Sequence, residues 1–455
     1  MYRLPQRKIA LTVTLAFLLL PAAHALAETA PAPTQAPPPA ASPPHKVTFH
    51  DYLTAVEQNS LDLQNQRENV TSAKAGISIA GVRPDPQLTA GIASLELNPS
   101  NRDNAALATT AGLAITVETA GKRGKRIRAA QSNVKLTEAN VRAFVRDLGT
   151  QSAAAFVEAC RTRDALARKE SSLTSFQEVV RANEIRYKVG DIGMLELRQS
   201  RVEADRFRTD VTSARADASA AAENLSAPLG IRFVELFPGG VVDCELKREP
   251  LRSPLDELIR QALENRDDVR VARVTVENAR DNLHLARANR WVDPTVNIGV
   301  THTPQVQSVF DSAGNVTNSP TLASSTTLGL TVTIPIPFSR LQRGELVQAE
   351  TAVTQAELQL RSTLLKAETE VRATHAQYRA AATNVQSYAD HVLADADHVL
   401  DGKRTSYRKG AASLLELLDA QRTADDVHLG YLQALADLAN ATVRLQLSAG
   451  MRPEL

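Results

Sequence analysis

The amino-acid sequence predicts a mainly α-helical protein with transmembrane β-segments, laid out as two copies of one helix–strand–strand–long helix–helix unit. Three observations predict it. First, "YKVGDIGMLEL" from Tyr187 returns as "YRKGAASLLEL" from Tyr407, 220 residues on, and such self-similarity marks a duplication. Second, long stretches are dominated by Ala, Leu, Val, Glu, Gln and Arg, with only 4% aromatic residues in the chain. That is the composition of long helices rather than of a thick globular core. Third, each copy holds short segments in which apolar residues alternate with small or polar ones, the period of a strand with two unlike faces.

The duplication sets the domains. "NSLDL" from Asn59 pairs with "NRDDV" from Asn265 at offset 206, and Asp85-Pro86 with Asp293-Pro294 at 208. "LAITV" from Leu113 pairs with "LGLTV" from Leu328 at 215; Gly124 with Gly344 and Tyr187 with Tyr407 stand at 220. The order is kept, and the offset drifts mostly between Asp85 and Gly124, so the second copy carries most of its extra residues there. The chain divides into a leader at 1–27, a Pro-rich linker at 28–48, a first repeat at 49–230, a linker segment at 231–254, a second repeat at 255–448 and a tail at 449–455.

The elements follow in order. Arg3, Arg7 and Lys8 precede the apolar run 9–20, and Ala25-Leu26-Ala27 offers small residues for a cut before Glu28. This is the pattern of a secretory signal peptide; so short an apolar run does not span a bilayer as a helix. No Cys follows the run, which argues against N-terminal lipid attachment. "TAPAPTQAPPPAASPP" (29–44) is an extended linker. A helix is predicted over 49–82 and its copy over 255–291, each stopped by an Asp-Pro step. Strands are predicted at 86–98 and 107–118, then at 294–304 and 325–335. Leu113, Ile115 and Val117 alternate with Ala114, Thr116 and Glu118, and Val296, Ile298 and Val300 with Asn297, Gly299 and Thr301. Leu328, Leu330, Val332 and Ile334 do the same; Leu88, Ala90 and Ile92 do so less cleanly. A half-buried soluble sheet uses the same alternation, but the export signal and the missing apolar partner layer favour lipid. The polar stretches 97–106 and 304–324 are predicted as loops outside the cell.

Very long helices are predicted over 124–187 and 344–401. The second carries a coiled-coil-like seam through Leu346, Ala349, Val353, Ala356, Leu360 and onward to Tyr378. Some sixty residues make a rod of about 90 Å. Turns at Gly190-Asp191-Ile192-Gly193 and at Gly410 send the chain back as helices over 194–226 and 414–447.

Four strands cannot close a barrel, and an open edge cannot sit in lipid. Sister copies must therefore share the wall. Two copies give eight strands and a filled interior; three give twelve and a passage. Net charge is +1, so no nucleic-acid partner is expected. Cys160 and Cys244 are too few for a disulfide scaffold; whether they pair stays open. The nine His are scattered, and His391 and His398 stand about 10 Å apart along a helix, too far to hold one ion. There is no Gly-Lys-Ser/Thr phosphate loop. No enzyme activity, cofactor or resident metal is expected.

From His50 to about Gly450 the chain resembles the TolC-like outer-membrane factor family, in its duplicated halves, paired strands, long helices and Tyr-x-x-Gly turns. The resemblance implies a homotrimer with a twelve-stranded β-barrel in outer-membrane lipid, continuous with a periplasmic α-helical barrel, and a belt around 231–254. It implies an exit duct of a tripartite efflux pump, served by an inner-membrane transporter and a periplasmic adaptor. "ETAGKRGKR" (118–126) and "IPIPFSRLQRG" (334–344) resemble the CzcC-like heavy-metal subgroup, which makes divalent cobalt, zinc and cadmium the expected cargo. Drug efflux or protein secretion through the same architecture stays open. A periplasmic adaptor, with one hairpin between soluble β domains, is the rival of another class.

The resemblance also places a periplasmic aperture at the hairpin tips. Its residues are Tyr187, Gly190 and Glu196 in the first copy, and Tyr407, Gly410, Glu416 and Asp419 in the second. Glu416 and Asp419 lie on one helix face and match positions of the family's acidic ring. Three copies would gather carboxylates, whose repulsion protonation or a cation relieves. The first copy has Glu196 but Gln199, so the second hairpin is the expected gate. The family often has an Arg two residues beyond the turn Gly. Here Ala412 stands there, with Lys403, Arg404, Arg408 and Lys409 nearby.

Overall fold

A computed structural model describes residues 46–93, 108–245, 253–310, 312–313, 316–336 and 343–455. The leader, most of the Pro-rich linker, and segments 94–107, 246–252 and 337–342 lie outside the described residues.

Each repeat opens on a broken helix rather than a continuous one. The first is α1 (Phe49–Asn59) and α2 (Leu61–Ala80); the second is α7 (Leu255–Asn265) and α8 (Asp267–Asn289). The breaks fall at Ser60 and Arg266, both with extended ψ and both buried. They sit inside the two matched pentapeptides, so that match records a kink. At α1, Thr48 and Asp51 close a capping box that satisfies orphan N–H groups. At the second kink the Arg266 guanidinium is held by Asp268, Glu370 and the Ser448 carbonyl.

Strands β2 (Gln87–Ala93), β3 (Ala108–Thr116), β5 (Thr295–Phe310) and β6 (Val316–Thr333) form one antiparallel sheet in that order. Its register sorts the residues cleanly. Leu88, Leu113, Ile298 and Leu330 stand in one row across the four strands, and Ala90, Ala111, Val300 and Leu328 in the next apolar row. Between them runs the row Thr89, Gly112, Gly299, Gly329, which points to the other face. The apolar face is uncovered: Leu88 is 82% exposed and Leu330 69%.

The stretch 304–324, expected as a loop, is mostly strand. β5 and β6 run well past the apolar rows to a turn at 312–313, with an irregularity between Gln307 and Val309. Polar strand and polar loop share a composition, so the sequence hides it.

Helix α3 (Lys122–Lys188) is unbroken over 67 residues, a rod of about 100 Å. Its counterpart is α9 (Gly344–Ser387), a π turn (Tyr388–Val392) and α10 (Leu393–Arg408), reaching seven residues beyond the expected end at Asp401. The Tyr388 ring lies against Gly430, where a Cβ would stand 2.8 Å from its Oη and push the ring aside. The hairpins return through α4 (Met194–Asn224) and α11 (Leu414–Ser448).

Near the sheet the helices lie side by side as α2, α3, α8 and α9; toward the tips they follow as α4, α3, α11 and α10. Between these levels sits a belt. Strand β1 (Lys46–Val47) pairs in parallel with β4 (Val241–Val242), beside the short helices α5 (Ser226–Leu229) and α6 (Phe233–Leu236). Its core gathers Tyr52, Phe156, Leu225 and Leu229. Cys160 and Cys244 are joined as a disulfide with Cα atoms 5.4 Å apart. That answers the question the sequence left open, and it pins the belt segment to α3.

Candidate functional site: the hairpin tips

The two tips are built alike. Gly190 and Gly410 have φ of 82° and 70°, the left-handed position that ends a helix without a Cβ clash. Asp191 N donates to Arg186 O, and Ala411 N to Ser406 O. The tyrosines that precede the glycines differ. Tyr407 is buried in a cluster with Phe176, Leu400, Leu414 and Leu417, whereas Tyr187 is exposed.

The Tyr407 phenol lies 2.6 Å from Asn183 Oδ1 and 3.1 Å from Glu196 Oε1. It carries one proton and can donate to one of them. Asn183 Nδ2 is buried without a hydrogen-bond partner among the described residues. Turning that amide end for end lets its nitrogen donate to the phenol oxygen, and the phenol donate to Glu196. Burial, then the Glu196 charge, pushes the Tyr407 pKa up, so the phenol keeps its proton. Above the ring, at 5.1 Å from its centroid, lies the Arg186 guanidinium, whose Nε donates to Asp191 Oδ2 at 2.6 Å. That bond holds the Arg186 pKa above its ordinary value. The first tip is thus a cradle of Asn183, Arg186, Asp191 and Glu196 around the second tip's tyrosine.

The acids of the second tip divide. Glu416 accepts from Lys403 Nζ at 2.5 Å and from Ser413, with its pKa held down chiefly by the Lys403 bond. The Asp419 carboxylate is exposed and makes no hydrogen bond or ion pair among the described residues, although the Arg422 charge acts on it. The four basic residues near Ala412 do not bridge the hairpins. Lys403 serves Glu416, Arg404 serves Gln421 and Asp401, and Arg408 reaches Thr405. The arginine at the hairpin contact is Arg186, from the other copy. Sequence reading passed over it. The signal was there in the repeat: Asn183, Arg186 and Asp191 face Lys403, Ser406 and Ala411 at offset 220.

Higher on the same seam, Arg422 pairs with Glu203 at 2.5 Å, and Asp425 accepts from Ser172 at 2.5 Å and Arg168 at 3.1 Å. These also tie the first hairpin to α11. At the other end, the basic stretch after β3 is largely occupied by the fold. Lys122 is buried, with Nζ 2.6 Å from both Asp293 and the Trp291 carbonyl. Arg126 binds Glu118 and the carbonyls of Ala80 and Val82. Among the described residues no cluster could hold a metal ion, and no helix is long and apolar enough to cross a membrane.

Residues 53–231 and 258–451 match the outer membrane efflux protein family, once for each repeat. The chain belongs to that family. These are channel proteins of the outer membrane rather than enzymes. Within the reach of the efflux family, the chain is similar to the cobalt-zinc-cadmium resistance protein CzcC of Cupriavidus metallidurans. The two are 22% identical over 405 residues, covering 89% of this chain and 90% of CzcC. Its fold is similar to a crystal structure of CusC, with a TM-score of 0.70 at 20% identity, covering 89% of this chain and 92% of that one. It is also similar to the outer membrane protein VceC of Vibrio cholerae, with a TM-score of 0.68 at 18% identity, covering 89% and 97%. The fold is thus that of the TolC-like outer-membrane channels.

Proposed function

We propose that three copies of this chain form a twelve-stranded barrel in the outer membrane, continuous with a helical tunnel through the periplasm. The complex is the passive exit duct of a tripartite efflux pump, and its cargo is divalent heavy-metal cations. A periplasmic adaptor joins it to an inner-membrane transporter that supplies the energy. The observation that carries the reading is the sheet. Its four strands present exposed apolar rows on one face and small polar residues on the other, and β2 and β6 are edges that pair with nothing among the described residues. Such edges cannot be left open in lipid. The exposed Trp291 at the foot of β5 suits the membrane boundary. The same open order, with α2 and α9 or α4 and α10 outermost, recurs in the helices, so one side-by-side association closes every level.

The tips are the closed aperture in this reading. Tyr407 and Glu196 meet at the hairpin contact, Gly410 and Gly190 turn the chain beside it, Tyr187 stands exposed on the first tip, and Asp419 is the exposed carboxylate a passing cation would meet. Glu416, held by Lys403, is less available. The likeness to CzcC supports metal as cargo. The test is a deletion strain challenged with zinc, cobalt and cadmium beside antibiotics and dyes. Sensitivity to the metals is expected; sensitivity to drugs alone would move the cargo to drugs and leave the duct.

A further inference from the structure

The two hairpins are copies, yet only one of the two equivalent faces is covered. In the second copy, Tyr407, Leu414, Leu418 and Asp425 are buried where that hairpin packs on the first. Their equivalents at offset 220 are Tyr187, Met194, Arg198 and Asp205, and all four are exposed. Tyr187 is 37% exposed against 5% for Tyr407, and Met194 43% against 3% for Leu414. The Tyr187 phenol makes no hydrogen bond among the described residues. The first hairpin therefore carries a tyrosine-bearing face of the kind its twin buries, without the cradle.

The cradle has a twin as well. Asn183 and Glu196, which hold the Tyr407 phenol, correspond to Lys403 and Glu416. In this chain Lys403 and Glu416 sit together at 2.5 Å, half exposed, at the same place on the second tip. The Glu416 carboxylate is thus preset where a phenol would arrive. Above it on α10 and the π turn, Val399 and Val392 are exposed, on the helix that corresponds to the one receiving Leu414 and Leu418. A contact between unlike faces of repeated units closes into a ring when the rotation repeats. The step from hairpin one to hairpin two within a chain, applied again, takes hairpin two to hairpin one of the next chain.

We propose that Tyr187 of one copy packs on the second hairpin of the neighbouring copy, with its phenol donating to that copy's Glu416 beside Lys403. The aperture then closes through six tyrosine–glutamate bonds in a ring of three. Three lie within chains, Tyr407 to Glu196, and three between chains, Tyr187 to Glu416. Glu416 is a fastening between copies, and the acid left for cargo is Asp419. This rests on the ring of copies proposed above.

The test uses the full chain in outer membranes, carrying Tyr187→Cys with Glu416→Cys and keeping the native disulfide. A short flexible thiol cross-linker is applied. The pair Tyr407→Cys with Glu196→Cys calibrates its reach within one chain. Denaturing gels should show the first pair at two and three chain masses and the second at one. The proposal is overturned if the calibrating pair bridges and detergent-extracted protein still has the mass of three chains, yet the first pair stays at one chain mass. A product enlarged by a different protein would put another partner on this face and also overturn it. If the extracted protein has the mass of one chain, the ring itself fails and this contact with it. Tyr187→Phe, which keeps the ring and removes the hydroxyl, should raise the open fraction of the channel by about as much as Tyr407→Phe. An open fraction equal to the native channel's would remove the bond to Glu416.

Discussion

Replacing Tyr407 by Phe removes one hydroxyl from each tip and leaves the buried ring and the Arg186 contact above it. The variant loses the phenol's contact with the Asn183 amide, 2.6 Å in length, and its bond to the Glu196 carboxylate, 3.1 Å in length, of which the charged one sets the scale. A hydrogen bond to a charged group contributes about 1.5–3 kcal/mol; about 2 is reasonable for this part-buried pair. That shifts the opening equilibrium of one tip about thirty-fold. If the three tips open together, the loss is about 6 kcal/mol and the shift about 10⁴-fold. Single-channel recording in planar bilayers reads this as open fraction and as the rate of closure. A native channel that is mostly closed should become mostly open. Raising pH should not imitate the variant until well above the ordinary tyrosine range, because burial keeps the phenol protonated. An open fraction for Tyr407→Phe equal to that of the native channel would refute the hairpin contact as the closing device.

Three further outcomes are expected. Leu330→Arg puts a charge on the exposed apolar row and should cost about 2–4 kcal/mol near the bilayer centre, read as lost outer-membrane yield, whereas Thr331→Arg, on the opposite face, should be tolerated. Removing both Cys160 and Cys244 opens a loop whose ends stand 84 positions apart in sequence; the unfolded chain gains about 4–5 kcal/mol of freedom, and limited proteolysis should then cut within 231–245 before the rods. Arg266→Met strips the cation from Asp268 and Glu370 at a cost of about 2–3 kcal/mol, less than a fully buried pair because both acids keep partial exposure. For Asp268, burial raises the pKa, but the Arg266 bonds and Arg146 outweigh it and hold it below the usual value. A lowered folded pKa contributes stability above the unfolded value near 4 and loses it as pH falls through the folded one. Heat resistance should therefore fall with acid below about pH 4, and that acid-sensitive part should be missing in Arg266→Met.

Much of the fold could be read from the repeat and from periodicity. The alternation at Leu113–Val117 and Leu328–Ile334 marked the faces that the register then placed in rows. The helix breaks were not legible, because Ser60 and Arg266 are neither Gly nor Pro and the apolar pattern runs across them. At Arg266 the break is held by tertiary contacts with distant Glu370 and Ser448. The outer reach of β5 and β6 was hidden because polar strand and polar loop share a composition. The π turn at Tyr388 lays its ring against Gly430 in another helix, and no local pattern announces it. At the tips the repeated Tyr and Gly were legible as a unit. Arg186 was legible only as a difference between the repeats, Ser406 standing at offset 220; that its guanidinium lies over the Tyr407 ring is set by the packing of the two hairpins.

The mass of the mature protein extracted from outer membranes in mild detergent, by native mass spectrometry or by sedimentation with detergent matched out, decides whether neighbouring copies complete the sheet. Three chains per particle, recovered with the outer membrane, is the predicted result. A single chain that stays in aqueous solution would leave β2 and β6 unpaired with no lipid to forbid it, and would contradict the duct.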